Sequence, residues 1–82
     1  MLATVASITS ANRLKRCGEE YGFNSSVIQT PQQLAREGCG YSIRFDDSEK
    51  SFVEKSAYYL GIKIRAFYSE IADESGKRYV KM

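Results

Sequence analysis

Two amphipathic segments, each bracketed by stretches rich in β-branched and aromatic residues, most limit how this chain can fold. Apolar residues recur at helical spacing in each amphipathic segment, whereas the flanking stretches alternate or are continuously apolar, as strands are. The pattern predicts β-α-β, a short helix, then β-α-β, followed by a terminal hairpin strand. The predicted strands cover residues 2–8, 23–29, 41–45, 62–71 and 78–81. The three predicted helices begin after N-terminal capping or turn residues at 9–10, 30 and 46–48.

The two long helices each show one apolar stripe and a terminal glycine, Gly22 or Gly61. The stripe residues are Ala11, Leu14, Cys17, Gly18 and Tyr21 in the first helix, and Phe52, Val53, Ser56, Ala57 and Leu60 in the second. Two β-α-β units predict an α+β fold, a ferredoxin-like split βαβ sandwich with one antiparallel sheet and two helices on one face. Because a chain of 82 residues is long enough for a single core, residues 1–82 are predicted to form one domain. Small domains often associate, so assembly into a homo-oligomer is an alternative to a monomer.

The composition excludes most self-sufficient chemistry. The chain has no His and two Cys, so it cannot hold a Ser-His-Asp or Cys-His arrangement or complete a four-ligand zinc site alone. We therefore expect no metal and no cofactor. A net charge of +2 is too small to favour nucleic acid or an anionic membrane. The apolar opening, residues 2–8, is short and has no basic leader, so we expect no membrane span and a cytoplasmic protein with reduced thiols.

Cys39 is the strongest candidate for chemistry, because it lies between Gly38 and Gly40 directly after a short predicted helix. Glycine permits a left-handed φ and keeps bulky side chains away from the sulfur. The alternative is that the glycines only end a helix and begin a strand, with Cys39 as a small buried side chain. We expect the C-termini of both long helices at this edge of the sheet, so a lowered thiol pKa would need a local source such as Arg36.

Two further patterns bear on the site. Thr30-Pro31-Gln32-Gln33 has the form of a capping box, with Thr30 as N-cap and Pro31 at the first helical position. Cys17 falls on the apolar stripe of the first helix and is predicted to pack against the sheet.

The fourth predicted strand bears on nucleic-acid binding. Its alternation places Lys63, Arg65 and Phe67 on the open face of the sheet together with Arg44. A basic sheet face with an aromatic residue is typical of some RNA-binding split βαβ domains, but their stacking-aromatic motif is absent here. An exposed apolar residue on such a face more often marks a subunit contact.

Residues 7–45 resemble a family of small bacterial proteins described as putative selenium/sulfur carrier protein-like. The resemblance rests on Thr30-Pro31, then Cys39-Gly40, then Ile43-Arg44-Phe45, together with the first strand and the opening of the first helix. It implies that Cys39 is a carrier thiol that holds sulfur or selenium as a persulfide or selenopersulfide. The supporting loop residues would be Thr30, Pro31, Arg36, Gly38 and Gly40.

The implied partners are sulfur or selenium donor and acceptor proteins, and independent enzymatic activity is not expected. The other interpretation is a non-catalytic binding or regulatory module that acts through oligomerisation or a small ligand, because one fold hosts many functions.

Overall fold

The computed structural model describes residues 1–37 and 40–82, and the side chains of residues 36 and 37 are outside the description. The strands are β1 (Leu2–Val5), β2 (Ser26–Gln29), β3 (Tyr41–Arg44), β4 (Ala66–Asp73) and β5 (Gly76–Lys81); the helices are α1 (Ile8–Glu20) and α2 (Lys50–Leu60), with 3-10 helices over Gln32–Glu37 and Asp47–Glu49.

The five strands form one antiparallel sheet in the order β2-β3-β1-β4-β5. β1 pairs with β3 on one side and with β4 on the other, and all four of its residues are buried. The α+β class is therefore confirmed. The terminal strand is longer than the sequence pattern predicted, because its pairing with β4 begins at Gly76 rather than at Arg78.

Both long helices pack on one face of the sheet. Ala3 and Val5 of β1 and Ile43 of β3 meet Leu14 of α1 and Val53 of α2 in a single buried cluster. The helix boundaries follow local signals. Ser7 accepts a hydrogen bond from the backbone N–H of Ser10 and so caps α1, earlier than the predicted cap at residues 9–10.

Both glycines after the long helices have left-handed backbones. Gly22, after α1, has φ of 82°, and Gly61, after α2, has φ of 71°. Glycine adopts this conformation without the steric penalty that a Cβ atom would bring. Both helix ends therefore lie where the sequence pattern predicted them.

The second face of the sheet is partly covered by the chain itself. Leu2, Thr4 and Ser42 point to this face and are buried. Leu34 of the first 3-10 helix and Tyr79 of β5 line a common groove. The 3-10 helix follows β2, which lies at the opposite edge of the sheet from β5. Because the helices occupy the first face, these two segments approach each other across the second.

The side of β4 that carries Phe67 differs from the sequence expectation. Ala3 pairs with both Ile43 and Phe67, so Phe67 points towards the helices. Its ring meets Phe45 edge-on at 6.2 Å between centroids. The predicted open-face group of Phe67 with Arg44 is therefore wrong, because residues 62–65 lie outside the strand and do not continue its alternation.

Candidate functional site

The predicted site residues lie in the segment between β2 and β3, residues 30–40, which we call the motif loop. Its described ends are held together. The backbone N–H of Thr30 donates to the carbonyl of Gly40 at 3.0 Å, one step beyond the last strand pair, Gln29 with Tyr41. The base of the motif loop therefore continues the β2–β3 ladder. Gly38, Cys39 and the side chain of Arg36 lie outside the described residues.

A buried hydroxyl pair reinforces this base. Thr30 Oγ1 and Ser42 Oγ are 2.8 Å apart, and the two residues are 9% and 0% exposed. The predicted role of Thr30 as a helix cap is wrong, because its hydroxyl bonds across the sheet to β3. The segment that follows is a 3-10 helix, opened by a hydrogen bond from the Leu34 N–H to the Pro31 carbonyl at 2.8 Å.

Gly40 does not use the conformational freedom that the sequence interpretation assigned to it. In the described part of the chain, positive φ occurs at Gly22, Gly61 and Gly76, so Gly40 and the described non-Gly residues have ordinary φ. No atom lies within 4 Å of the position that a Cβ on Gly40 would occupy. What Gly40 contributes is open space beside the motif loop.

At the end of the sheet that carries the motif loop, which we call the motif-loop edge, the ends of the two long helices carry partial charges of opposite sign. Val5, the last residue of β1, pairs with Tyr41, the first of β3, so the N-terminus of α1 lies at the motif-loop edge. The expectation that both helices end there is wrong, because only α2 does. A helix N-terminus carries partial positive charge, which stabilises anions, and α1 thus counteracts the negative end of α2.

Cys17 is not part of the core. The buried residues of α1 are Ala11, Leu14 and Gly18, whereas Cys17 is partly exposed and lines a groove between α1 and α2. The prediction that Cys17 packs against the sheet is therefore wrong. Gly18 takes the inward position instead, where a Cβ would lie 3.7 Å from the side chain of Phe23.

A charged cluster that no sequence pattern predicted lies on the second face of the sheet. Arg44 donates through Nε and Nη2 to the two carboxylate oxygens of Glu70, at 2.9 and 3.1 Å. Lys77 Nζ lies 3.7 Å from the same carboxylate. Partial burial raises the pKa of Glu70, but the hydrogen bond and charge of Arg44 outweigh it and lower that pKa overall. The same hydrogen bond raises the pKa of Arg44.

Two features are absent from the described residues, a metal-binding cluster and a membrane-spanning helix. Among the side chains that the structure describes, those of residues 1–35 and 40–82, no cluster of three or more His, Cys, Asp or Glu is arranged to bind a metal ion. The same part of the chain contains no helix with the length and apolar character needed to cross a bilayer.

Comparison with known proteins identifies the family. No curated protein and no solved structure matches the chain. A family model described as "Putative Se/S carrier protein-like" matches residues 1–69, which include the motif loop and every element up to the first half of β4. Since the match covers most of the 82 residues, the chain belongs to the putative Se/S carrier protein-like family.

Proposed function

We propose that the protein carries sulfur or selenium on the thiol of Cys39 between a donor and an acceptor protein. The supporting observation is the family match, which spans the whole motif loop. The closed base of that loop, with Thr30 bonded to Gly40 and Ser42, fixes both of its ends to the sheet. Such a base would hold the loop at a defined position on the molecule, as a rigid scaffold holds a functional loop.

The transfer step is an exchange of one sulfur atom. The thiolate of Cys39 attacks the outer sulfur of a donor persulfide, a new S–S bond forms, and the donor's S–S bond breaks. The donor thiolate leaves with the electron pair of the broken bond, so no external oxidant is needed. A selenopersulfide donor would transfer selenium in the same way.

In this proposal the remaining loop residues have supporting roles. Gly38 and Gly40 leave room for a partner's active site, Arg36 supplies local positive charge, and Pro31 directs the chain into the 3-10 helix. The reaction takes place in the cytoplasm, where thiols stay reduced. The protein itself has no independent enzymatic activity, since the donor and acceptor supply the remaining chemistry.

The proposal extends to the fold. We assign the first four strands, in the order β2-β3-β1-β4, and the two helices to a ferredoxin-like split βαβ arrangement. Two features support this: each helix connects strands separated by one intervening strand, and all neighbouring pairs are antiparallel. β5 is then an added edge strand.

The test is sulfur loading followed by intact mass measurement. The protein is incubated with a cysteine desulfurase and labelled cysteine, beside a known carrier as positive control. We expect the mass of one additional sulfur in the wild type and in Cys17→Ser, and none in Cys39→Ser. Cys17→Ser is the matched control, because it removes a thiol that lies on a different element. Absence of sulfur on Cys39 while the known carrier is loaded would refute the proposal.

Thiol accessibility separates the carrier from a non-catalytic binding module. Rapid alkylation of native Cys39 in the Cys17→Ser variant supports the carrier. Resistance to the reagent until the protein is denatured supports the binding module.

A further inference from the structure

A groove runs along the solvent side of the contact between α1 and α2. It consists of two adjoining depressions that share Cys17, Tyr21 and Tyr59 in their walls. Arg13 and Arg16 line one depression, whereas the walls of the other include Phe52, Lys55 and Ser56. Because the walls are shared, the two depressions form one continuous surface, which we call the helix groove.

The aromatic side chains of the helix groove are strongly exposed. Tyr59 is 87% exposed and Tyr21 is 69% exposed. The ring of Tyr21 packs edge-on against Phe52, with 5.3 Å between centroids. Rings in this position offer a large apolar surface with few rotatable bonds, which is why tyrosine is enriched in protein interfaces.

The cations of the helix groove have no carboxylate partner in the described part of the chain. Among the described side chains, those of residues 1–35 and 40–82, no ion pair involves Arg13, Arg16 or Lys55. The guanidinium of Arg13 donates a 3.4 Å hydrogen bond to the carbonyl of Leu60. By contrast, Lys15 and Lys50 on the same helices pair with Glu19 and Glu54, four residues on.

The charge balance of the groove walls indicates the sign of a partner. Three cations face one carboxylate, that of Glu20. Since a complementary potential guides association and fixes register, the groove matches an anionic chain. The groove is also lined by exposed tyrosines and by the partly exposed Cys17. A large apolar side chain of the partner would displace water from the centre of the groove and pack against these residues.

We propose that the helix groove docks an acidic segment of a partner protein, with one large apolar side chain between Tyr21 and Tyr59 and carboxylates on Arg13, Arg16 and Lys55. The groove reaches Leu60 at the C-terminus of α2, on the edge of the sheet where the motif loop begins and ends. A segment bound here therefore brings the rest of its protein to that edge. The proposal rests on the groove alone and does not depend on carrier chemistry at Cys39.

The test uses fluorescence anisotropy with a labelled synthetic peptide of Glu-Glu-Leu repeats as probe. A Lys-Lys-Leu peptide and an oligouridylate RNA serve as comparison ligands. We expect binding of the acidic peptide to weaken as salt is raised, and to weaken about tenfold in the double variant Arg13→Glu, Arg16→Glu. The matched control is Lys63→Glu, Arg65→Glu, which reverses two exposed charges outside the groove.

Each other outcome overturns the proposal. These outcomes are no binding of the acidic peptide, an equal loss in the control variant, and RNA bound in preference to the peptide with the same dependence on Arg13 and Arg16. Circular dichroism establishes that every variant is folded. Tyr59→Ala, which alters an exposed ring without changing charge, is the second test and is expected to weaken peptide binding severalfold.

Discussion

The hydroxyl pair at the base of the motif loop offers the sharpest test of how that loop is held. The perturbation is a double-mutant cycle with Thr30→Val, Ser42→Ala and the combined variant. Thr30 Oγ1 and Ser42 Oγ lie 2.8 Å apart, and both residues are buried. In the described part of the chain, each hydroxyl has the other as its hydrogen-bond partner.

The expected free energies follow from what each variant leaves behind. A single substitution removes one hydroxyl and leaves the other buried without a partner, which costs about 1–2 kcal/mol. The double variant removes both polar groups, so no buried hydroxyl is left unsatisfied. Its cost is expected to be no greater than that of the larger single variant, which gives a coupling free energy of about 1–2 kcal/mol.

The assay is urea unfolding followed by circular dichroism. With a denaturant slope of about 1 kcal/mol/M for a small domain, each single variant lowers the midpoint by about 1 M or more. Ser51→Ala, at an exposed position of α2, is the control and shifts the free energy of unfolding by less than about 0.5 kcal/mol. Additive losses in the double variant would refute the reasoning, because they would mean that the two hydroxyls act independently.

Three further predictions concern other parts of the molecule. Because the pKa of Glu70 is lowered in the folded protein, its contribution to stability is present above its ordinary pKa and is lost as pH falls through the folded value. Glu70→Gln should therefore cost about 1–2 kcal/mol at neutral pH, and urea titrations should show the difference from wild type shrinking as the pH falls below the ordinary pKa of a glutamate; a constant difference contradicts this. Gly61→Ala, at φ of 71°, should lose about 1 kcal/mol in thermal unfolding, whereas Gly40→Ala should be nearly neutral; equal losses contradict the assignment. Ser25 Oγ is buried with no hydrogen-bond partner in the described residues, so Ser25→Ala should leave the unfolding free energy unchanged or raise it by up to about 1 kcal/mol, and a clear loss would count against this.

Local signals in the sequence predicted the positions of helices and strands better than they predicted which side chains meet in the fold. The apolar stripe from Phe52 to Leu60 and the following Gly61 located α2, because both signals are contained within three turns of chain. The cap of α1 was predicted two or three residues too late, since Ser7, Thr9 and Ser10 all carry suitable hydroxyls and only the backbone path selects among them.

Contacts between residues that are distant in the chain had no pattern in the sequence that predicted them. The hydroxyl of Thr30 had a plausible local partner in its own helix turn, yet it bonds to Ser42 on the next strand. Arg44 and Glu70 are separated by 26 residues, so no spacing rule joins them. Both pairs depend on the register between strands, which a single sequence does not encode in a short pattern.

The family match stops at residue 69, within β4, and the chain continues into β5. One consequence concerns how these molecules behave towards one another at high concentration. β5 ends the sheet on that side, and its strand carries Lys77, Arg78 and Lys81. An edge so rich in positive charge discourages a second copy from adding its own strand. Without β5, the exposed edge would pass to β4, whose charged residues Glu70 and Asp73 are acidic, and the protection that the cations of β5 give against strand addition would be lost.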